Sequence, residues 1–119
     1  MPFVAGHIYW ITFGFIQPPH EKISLCICPV RPLFFWINSN PKPHGIGQLD
    51  VSVHLCPILA YDSVMDLSGA KTGPEADMKT ARPAGPITGG LRALVVAELS
   101  NPIRLLPDAH RLLALANLT

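Results

Sequence analysis

Thirteen prolines occur in this chain of 119 residues, and they constrain its fold more than any other feature of the sequence. Proline lacks a backbone N–H and fixes φ, so it interrupts helices and is confined to turns, edge strands and strand ends. Prolines this frequent therefore favour short strands joined by turns over a helical bundle. Because 49% of the residues are hydrophobic and only 14% are charged, the chain can still bury the core of one domain.

The charge balance and the longest apolar run exclude two classes of protein. The formal net charge is +1, which argues against broad electrostatic capture of nucleic acid but leaves room for a local basic site. The apolar run from Val4 to Ile16 is shorter than the roughly 18–20 residues that a membrane-spanning helix needs. No Lys or Arg precedes Lys22, so the start lacks the charged region of a signal peptide. We expect a soluble, cytoplasmic protein without membrane association.

The first 68 residues have the patterns of β-strands. From Leu49 to Leu55, apolar residues alternate with polar or charged ones, which is typical of an antiparallel strand buried on one face. From His7 to Phe15, both alternating faces are mostly apolar, as in a strand covered on both sides. The sequence predicts five strands: His7 to Phe15, Ile23 to Cys28, Leu33 to Ile37, Leu49 to Leu55 and Ile58 to Met65.

The last third of the chain is rich in alanine and leucine and has a helical pattern. Residues 69–86 are predicted to form a loop that can include a short helix beginning at Pro74, since proline suits the first turn of a helix. Pro107 opens a final helix in the same way. A helix over residues 88–99 is predicted from an apolar stripe at helical spacing, formed by Leu91, Leu94, Val95 and Leu99.

These patterns predict one α+β domain over residues 1–119. Residues 1–68 would form a small β-barrel or curled sheet of about five strands. Residues 69–86 would connect it to helices in residues 87–119, which pack against the sheet.

Three cysteines, an odd number, fit a reducing compartment better than a disulfide framework. Cys26 and Cys28 lie two residues apart, as do His54 and Cys56, so the two pairs could converge on zinc from neighbouring strands. Core packing is the commoner role of buried cysteine. We therefore expect no metal and no cofactor, and a zinc-stabilised small domain is the alternative.

Several stretches follow one another in a familiar order. They are "GHIYWITFG" (residues 6–14), "HEKISLCICPV" (20–30) with "LFFWINSNP" (33–41), and "YDSVMDLSG" (61–69) with "GPITGGLRALVVAELSNPIRLLP" (85–107). In pattern and order this resembles the PemK/MazF-like family, the toxin endoribonucleases of toxin–antitoxin systems and their phage and mobile-element relatives. The resemblance implies an SH3-like β-barrel with C-terminal helices, commonly a homodimer.

Active members of that family cut single-stranded RNA without metal, using an Arg at the start of the second strand and a Ser/Thr after the third. Such a site needs a cation for the phosphate and a group that moves protons. By position, Lys22 stands near the family's Arg, although "HEKI" replaces the usual Gly-x-Arg-Pro and lysine lacks the bidentate fork of arginine. The resemblance thus implies three catalytic candidates, which are Lys22, His20 and Ser39. It also implies three substrate-binding candidates, which are Asn38, Glu21 and Asn40.

Two hypotheses of function from different classes follow. The first is a toxin-like endoribonuclease that acts on single-stranded RNA without metal. The second is a catalytically inactive barrel that binds an antitoxin or another protein partner, which would agree with the missing Arg and the high apolar content. In either case the resemblance implies a homodimer.

Overall fold

The structure is a computed structural model that describes residues 2–119, and within them it contains six strands and three helices. The strands are β1 (His7–Thr12), β2 (Glu21–Cys28), β3 (Leu33–Asn38), β4 (Gln48–Val51), β5 (Ser63–Asp66) and β6 (Arg82–Pro86). The helices are α1 (Glu75–Met78), α2 (Gly89–Leu99) and α3 (Asp108–Leu118). No helix within residues 2–119 is long and apolar enough to cross a membrane.

The strands form one antiparallel sheet in the order β4-β5-β3-β2-β1-β6. β2 and β3 lie at its centre, where Leu25 is opposite both Ile8 of β1 and Phe35 of β3. This architecture confirms the predicted α+β class with C-terminal helices. β4 and β6 are the two edges, and no strand pairing joins them in the described part of the chain, so the sheet is open there.

One face of the sheet is covered by α2 and α3. Thr88 begins α2, since its side chain accepts a hydrogen bond from the Leu91 backbone N–H at 3.2 Å. The buried side chains of α2 recur every four residues and face the sheet. Leu94, predicted as part of this stripe, is instead 40% exposed. The core on this side combines residues of the sheet and both helices, including Leu25, Phe35, Met65, Leu91, Leu99 and Leu118.

The opposite face carries a second core that consists mainly of aromatic rings. Phe3 closes it from the N-terminal segment and packs edge-to-face against Tyr9 and Phe34, with ring centroids 4.9 and 5.1 Å apart. Met78 of α1 and Ala81 pack at its margin. Because α1 has only four residues, this face has a much smaller helical cover than the first.

β6 was not predicted from the sequence, because it lies in the segment that we expected to be a loop. It contains Pro83, Gly85 and Pro86, which normally argue against a strand. Its position at the edge explains why they are tolerated: β6 pairs only with β1, and the register shifts between Ile8 and Tyr9.

Three predicted strand boundaries differ from the observed ones by three residues or more. The first strand ends at Thr12, before Gly14, instead of reaching Phe15. The fourth ends at Val51, where turns replace the alternating pattern that continued to Leu55. The fifth begins only at Ser63. Apolar residues therefore continue beyond the part of each segment that pairs with a neighbouring strand.

We expect Leu91→Ala to lower the free energy of unfolding by about 2–5 kcal/mol, because it leaves a cavity between α2 and the sheet. Leu94→Ala, on the exposed side of the same helix, is the matched control and should change it by about 0.5 kcal/mol or less. Urea unfolding followed by circular dichroism measures both. Equal losses would contradict the assignment of the buried face of α2.

Candidate functional site

The pairing of β2 with β3 brings Lys22 and Asn38 together on the aromatic face of the sheet. Ser24 is opposite Trp36 in this pair, so Lys22 and Asn38, two residues away on each strand, project to the same face as Trp36. The Lys22 Nζ donates a hydrogen bond to the Asn38 Oδ1 at 2.7 Å. A candidate catalytic residue and a candidate substrate-binding residue are thus in direct contact.

Trp36 lies beside two lysines. The Lys22 Nζ is 4.9 Å from the centroid of the indole ring, and the Lys71 Nζ is 5.3 Å from it. The backbone of Lys71 pairs with that of Phe34, through N–O distances of 2.7 and 2.9 Å, which places its side chain on this face. Trp36 is only 8% exposed, and its Nε1 has no hydrogen-bond partner in residues 2–119.

A third lysine contributes to the electrostatics of this site. Burial lowers the pKa of Lys22, and the positive charges of Lys42 and Lys71 lower it further, whereas the negative charge of Asp66 opposes them. Lys42 itself is exposed on the loop between β3 and β4. We call Lys22, Lys42, Lys71 and Trp36 the lysine–tryptophan cluster. It concentrates positive charge on a partly desolvated aromatic surface.

Asp66 supplies a fixed negative charge near the cluster and is only 1% exposed. Its Oδ1 accepts hydrogen bonds from the Gln48 Nε2 at 2.8 Å and from the Ser68 backbone N–H at 2.9 Å, and the Ser68 hydroxyl also donates to it. Burial acts to raise the pKa of Asp66, but the hydrogen bonds from Ser68 and Gln48 and the charge of Lys42 outweigh it, and the pKa is lowered. Asp66 is therefore a structural carboxylate that stays ionised.

Phe15 extends the aromatic surface outward from Trp36. The two rings are nearly parallel, with an interplanar angle of 19° and centroids 6.0 Å apart. Phe13 packs at a steep angle against both rings, with centroids 5.6 Å from Phe15 and 5.1 Å from Trp36. Although Phe15 makes these contacts, it is 58% exposed.

Three of the predicted site residues have other neighbours, and a fourth is exposed. The His20 Nδ1 lies 3.1 Å from the carbonyl oxygen of Pro18, and His20 is exposed. The Arg82 guanidinium donates two 2.8 Å hydrogen bonds to the Glu21 carboxylate. The Ser39 hydroxyl lies 2.5 Å from the Tyr61 hydroxyl, and Asn40 is exposed.

Alternation along the strands explains part of this division. Glu21 adjoins Lys22 in β2, and adjacent side chains of a strand point to opposite faces. Asp66, Lys71, Trp36 and Phe15 were not predicted as site residues. The only local signal for any of them was the Asp66-Leu67-Ser68 turn, because an aspartate often bonds to the backbone two residues later.

The cysteines and the histidine of the zinc hypothesis are not placed to bind one metal ion. Cys26 belongs to the aromatic core and Cys56 to the core under the helices, so the sheet separates them. His54 is exposed. In the described part of the chain, no three His, Cys, Asp or Glu side chains are placed to hold a metal ion. Burial raises the pKa of the Cys26 thiol to about 12, which disfavours the thiolate that zinc binds.

We expect Asp66→Asn to lower the free energy of unfolding at pH 7 by about 1–3 kcal/mol, because it removes the charge that three hydrogen bonds stabilise. Since folding lowers the pKa of Asp66 from its ordinary value of 3.8, this contribution is present above pH 3.8 and is lost as the pH falls through the folded pKa. Denaturant unfolding should show a smaller difference in stability between the wild type and Asp66→Asn near pH 3 than at pH 7. Asp50→Asn, an exposed carboxylate of β4, is the control. A stability difference between the wild type and Asp66→Asn that is independent of pH would contradict the structural role of the Asp66 charge.

Comparison of the sequence with models of known protein families gives no match. A search of curated proteins likewise finds no similar sequence. The geometry of the lysine–tryptophan cluster is thus the basis for assigning a function.

Proposed function

We propose that the protein is an endoribonuclease that cuts single-stranded RNA without metal at the lysine–tryptophan cluster. One observation carries this proposal: the Lys22 ammonium is held between the Asn38 amide and the Trp36 ring, with the charges of Lys42 and Lys71 nearby. A partly buried cation fixed in this way is suited to a phosphate group, because low solvent exposure strengthens its attraction for the negative charge.

In the proposed reaction, the RNA 2′-hydroxyl oxygen attacks the adjacent phosphorus and the bond from phosphorus to the 5′ oxygen breaks. The proton of the 2′-hydroxyl passes to solvent, and Lys22 donates a proton to the departing 5′ oxygen. Lys42 and Lys71 stabilise the negative charge that develops on the phosphate oxygens. The lowered pKa of Lys22 favours this role, because an ammonium group with a lower pKa is a stronger proton donor. Asn38 orients the ammonium through its 2.7 Å hydrogen bond.

The proposal includes a fold family and a setting. The sequential antiparallel neighbours β1, β2 and β3, followed late in the chain by helices, agree with the resemblance to the PemK/MazF-like toxins. We accordingly propose that the open sheet and its helices are a divergent form of the SH3-like barrel. The protein would act in the cytoplasm as a homodimer, and an antitoxin protein would be its partner.

A cleavage assay tests this function. Purified protein and EDTA would be incubated with a long single-stranded RNA, and the fragments resolved on a denaturing gel. We expect discrete fragments from the wild type and a rate at least about 100-fold lower for Lys22→Ala, since the phosphate contact and the proton donor are lost together. Lys79→Ala is the matched control, because Lys79 is an exposed lysine paired with Glu75 on α1. Fragments made equally by Lys22→Ala would contradict the proposal.

A second proposed function is protein binding without cleavage. Leu94, Leu105 and Leu112 are large exposed apolar side chains in the helical part of the chain, and exposed apolar side chains that form one patch are typical of protein interfaces. The positions of His20 and Ser39 agree with this alternative, since neither contacts Lys22 by a hydrogen bond. Absence of fragments at any protein concentration in the cleavage assay would favour it over the nuclease.

The pH dependence of cleavage identifies the proton donor. Because Lys22 acts in its charged form, the rate should fall as the pH rises through its pKa, which lies below the ordinary value of 10.5. Lys42→Met removes a positive charge that lowers this pKa, so the alkaline fall should move to higher pH. The Lys42 backbone N–H, which donates to Gln48 at 2.9 Å, is unaffected. Lys79→Met is the control, and an unchanged alkaline limb in Lys42→Met would exclude Lys22 as the donor.

A further inference from the structure

We propose that the exposed face of Phe15 is a stacking subsite for one nucleobase of the bound RNA strand. This inference rests on the proposed function, because the base belongs to the nucleotide whose phosphate contacts the lysine–tryptophan cluster. It assigns a binding role to a residue outside the charged part of the site.

Phe15 packs against two aromatic rings and still keeps more than half of its surface exposed. One side of the ring lies nearly parallel to Trp36, at 19° and 6.0 Å between centroids. Phe13 contacts Phe15 at a steep angle of 70°, so it supports the ring without covering it as a parallel stack would. Phe15 is 58% exposed, whereas its stacking partner Trp36 is 8% exposed. A base on its free side would continue the stack begun by Trp36.

The position of the stack relative to the lysines suits a nucleotide. Lys22 and Lys71 lie 4.9 and 5.3 Å from the centroid of Trp36, the same ring on which Phe15 stacks. Phosphate oxygens at the two ammonium groups and a base on Phe15 would therefore all lie around the ring of Trp36. Single-stranded nucleic acid is commonly bound in this way, by cations along its backbone and aromatic rings against its bases.

The low net charge of the chain makes this second contact more important. Binding by phosphate contacts alone weakens steeply as salt concentration rises, and a site with only three lysines has few such contacts. Stacking is less sensitive to salt and accepts any base, because every base has a π face. A free phosphate ion would use only the lysines, whereas an RNA strand would use the lysines and Phe15 together.

The experiment compares two single-stranded 2′-deoxy oligomers of equal length, one with bases and one abasic. Neither has the attacking 2′-hydroxyl, so both remain intact during the measurement. Fluorescence anisotropy of an end label gives Kd at fixed low salt. We expect the wild type to bind the oligomer with bases about 10-fold more tightly than the abasic one. Phe15→Ala and Phe15→Leu should lose this preference and bind the abasic oligomer as the wild type does.

Two further variants separate the possible outcomes. Phe15→Tyr keeps the ring and should bind like the wild type, whereas Lys22→Ala should weaken binding of both oligomers. If Lys22→Ala weakens binding but Phe15→Leu does not alter base preference, the stacking subsite is wrong and the proposed function survives. If the wild type binds neither oligomer, both proposals are overturned.

A spectroscopic measurement provides a readout that a purely structural role of Phe15 would not change. The chain has two tryptophans, so a Trp10→Phe background reports Trp36 alone. The oligomer with bases should change the emission of Trp36 more than the abasic oligomer does at saturation, and Phe15→Leu should remove that difference. Equal changes with both oligomers in the Trp10→Phe background would contradict the subsite.

Discussion

The antiparallel pairing of β2 with β3 is the interaction on which both cores and the candidate site depend. Because side chains alternate along each strand, Leu25 and Phe35 enter the core under the helices, while Trp36 enters the aromatic core. The same register places Lys22 beside Asn38. A slip of one residue would turn the side chains of the shifted strand to the wrong face, so stability and the site constrain this register together.

The distribution of ion pairs explains how a chain of net charge +1 presents a positive surface. Among the described residues, ion pairs join Arg82 to Glu21, Arg111 to Asp108 and Lys79 to Glu75. The three lysines of the cluster form no such pair within residues 2–119. Asp66 moderates their charge at a distance while its own hydrogen bonds keep it in place. Net charge therefore underestimates the local potential.

Local pattern was sufficient to predict the central strands and the late helices, because a short turn joins β2 to β3, an apolar stripe indicates α2 and Pro107 precedes α3. It could not predict Lys71, whose position depends on pairing with Phe34 across 37 positions of the chain. The resemblance also grouped His20 and Ser39 with Lys22 by their order in the sequence, although both lie just outside the strands β2 and β3 that place Lys22 beside Asn38. The prolines of β6 argued against a strand, because prolines are tolerated in a strand only at the edge of a sheet.

The composition of β6 has a consequence for self-association. An unpaired strand edge is a template on which another chain can add a strand by backbone hydrogen bonds. Two of the five residues of β6 are proline and have no N–H to offer, and Gly85 adopts a left-handed φ of 88° that bends the backbone. An incoming strand would find too few donors in line to form a ladder there. The residues that hid this strand from sequence interpretation thus also protect that side of the sheet from fibrillar growth.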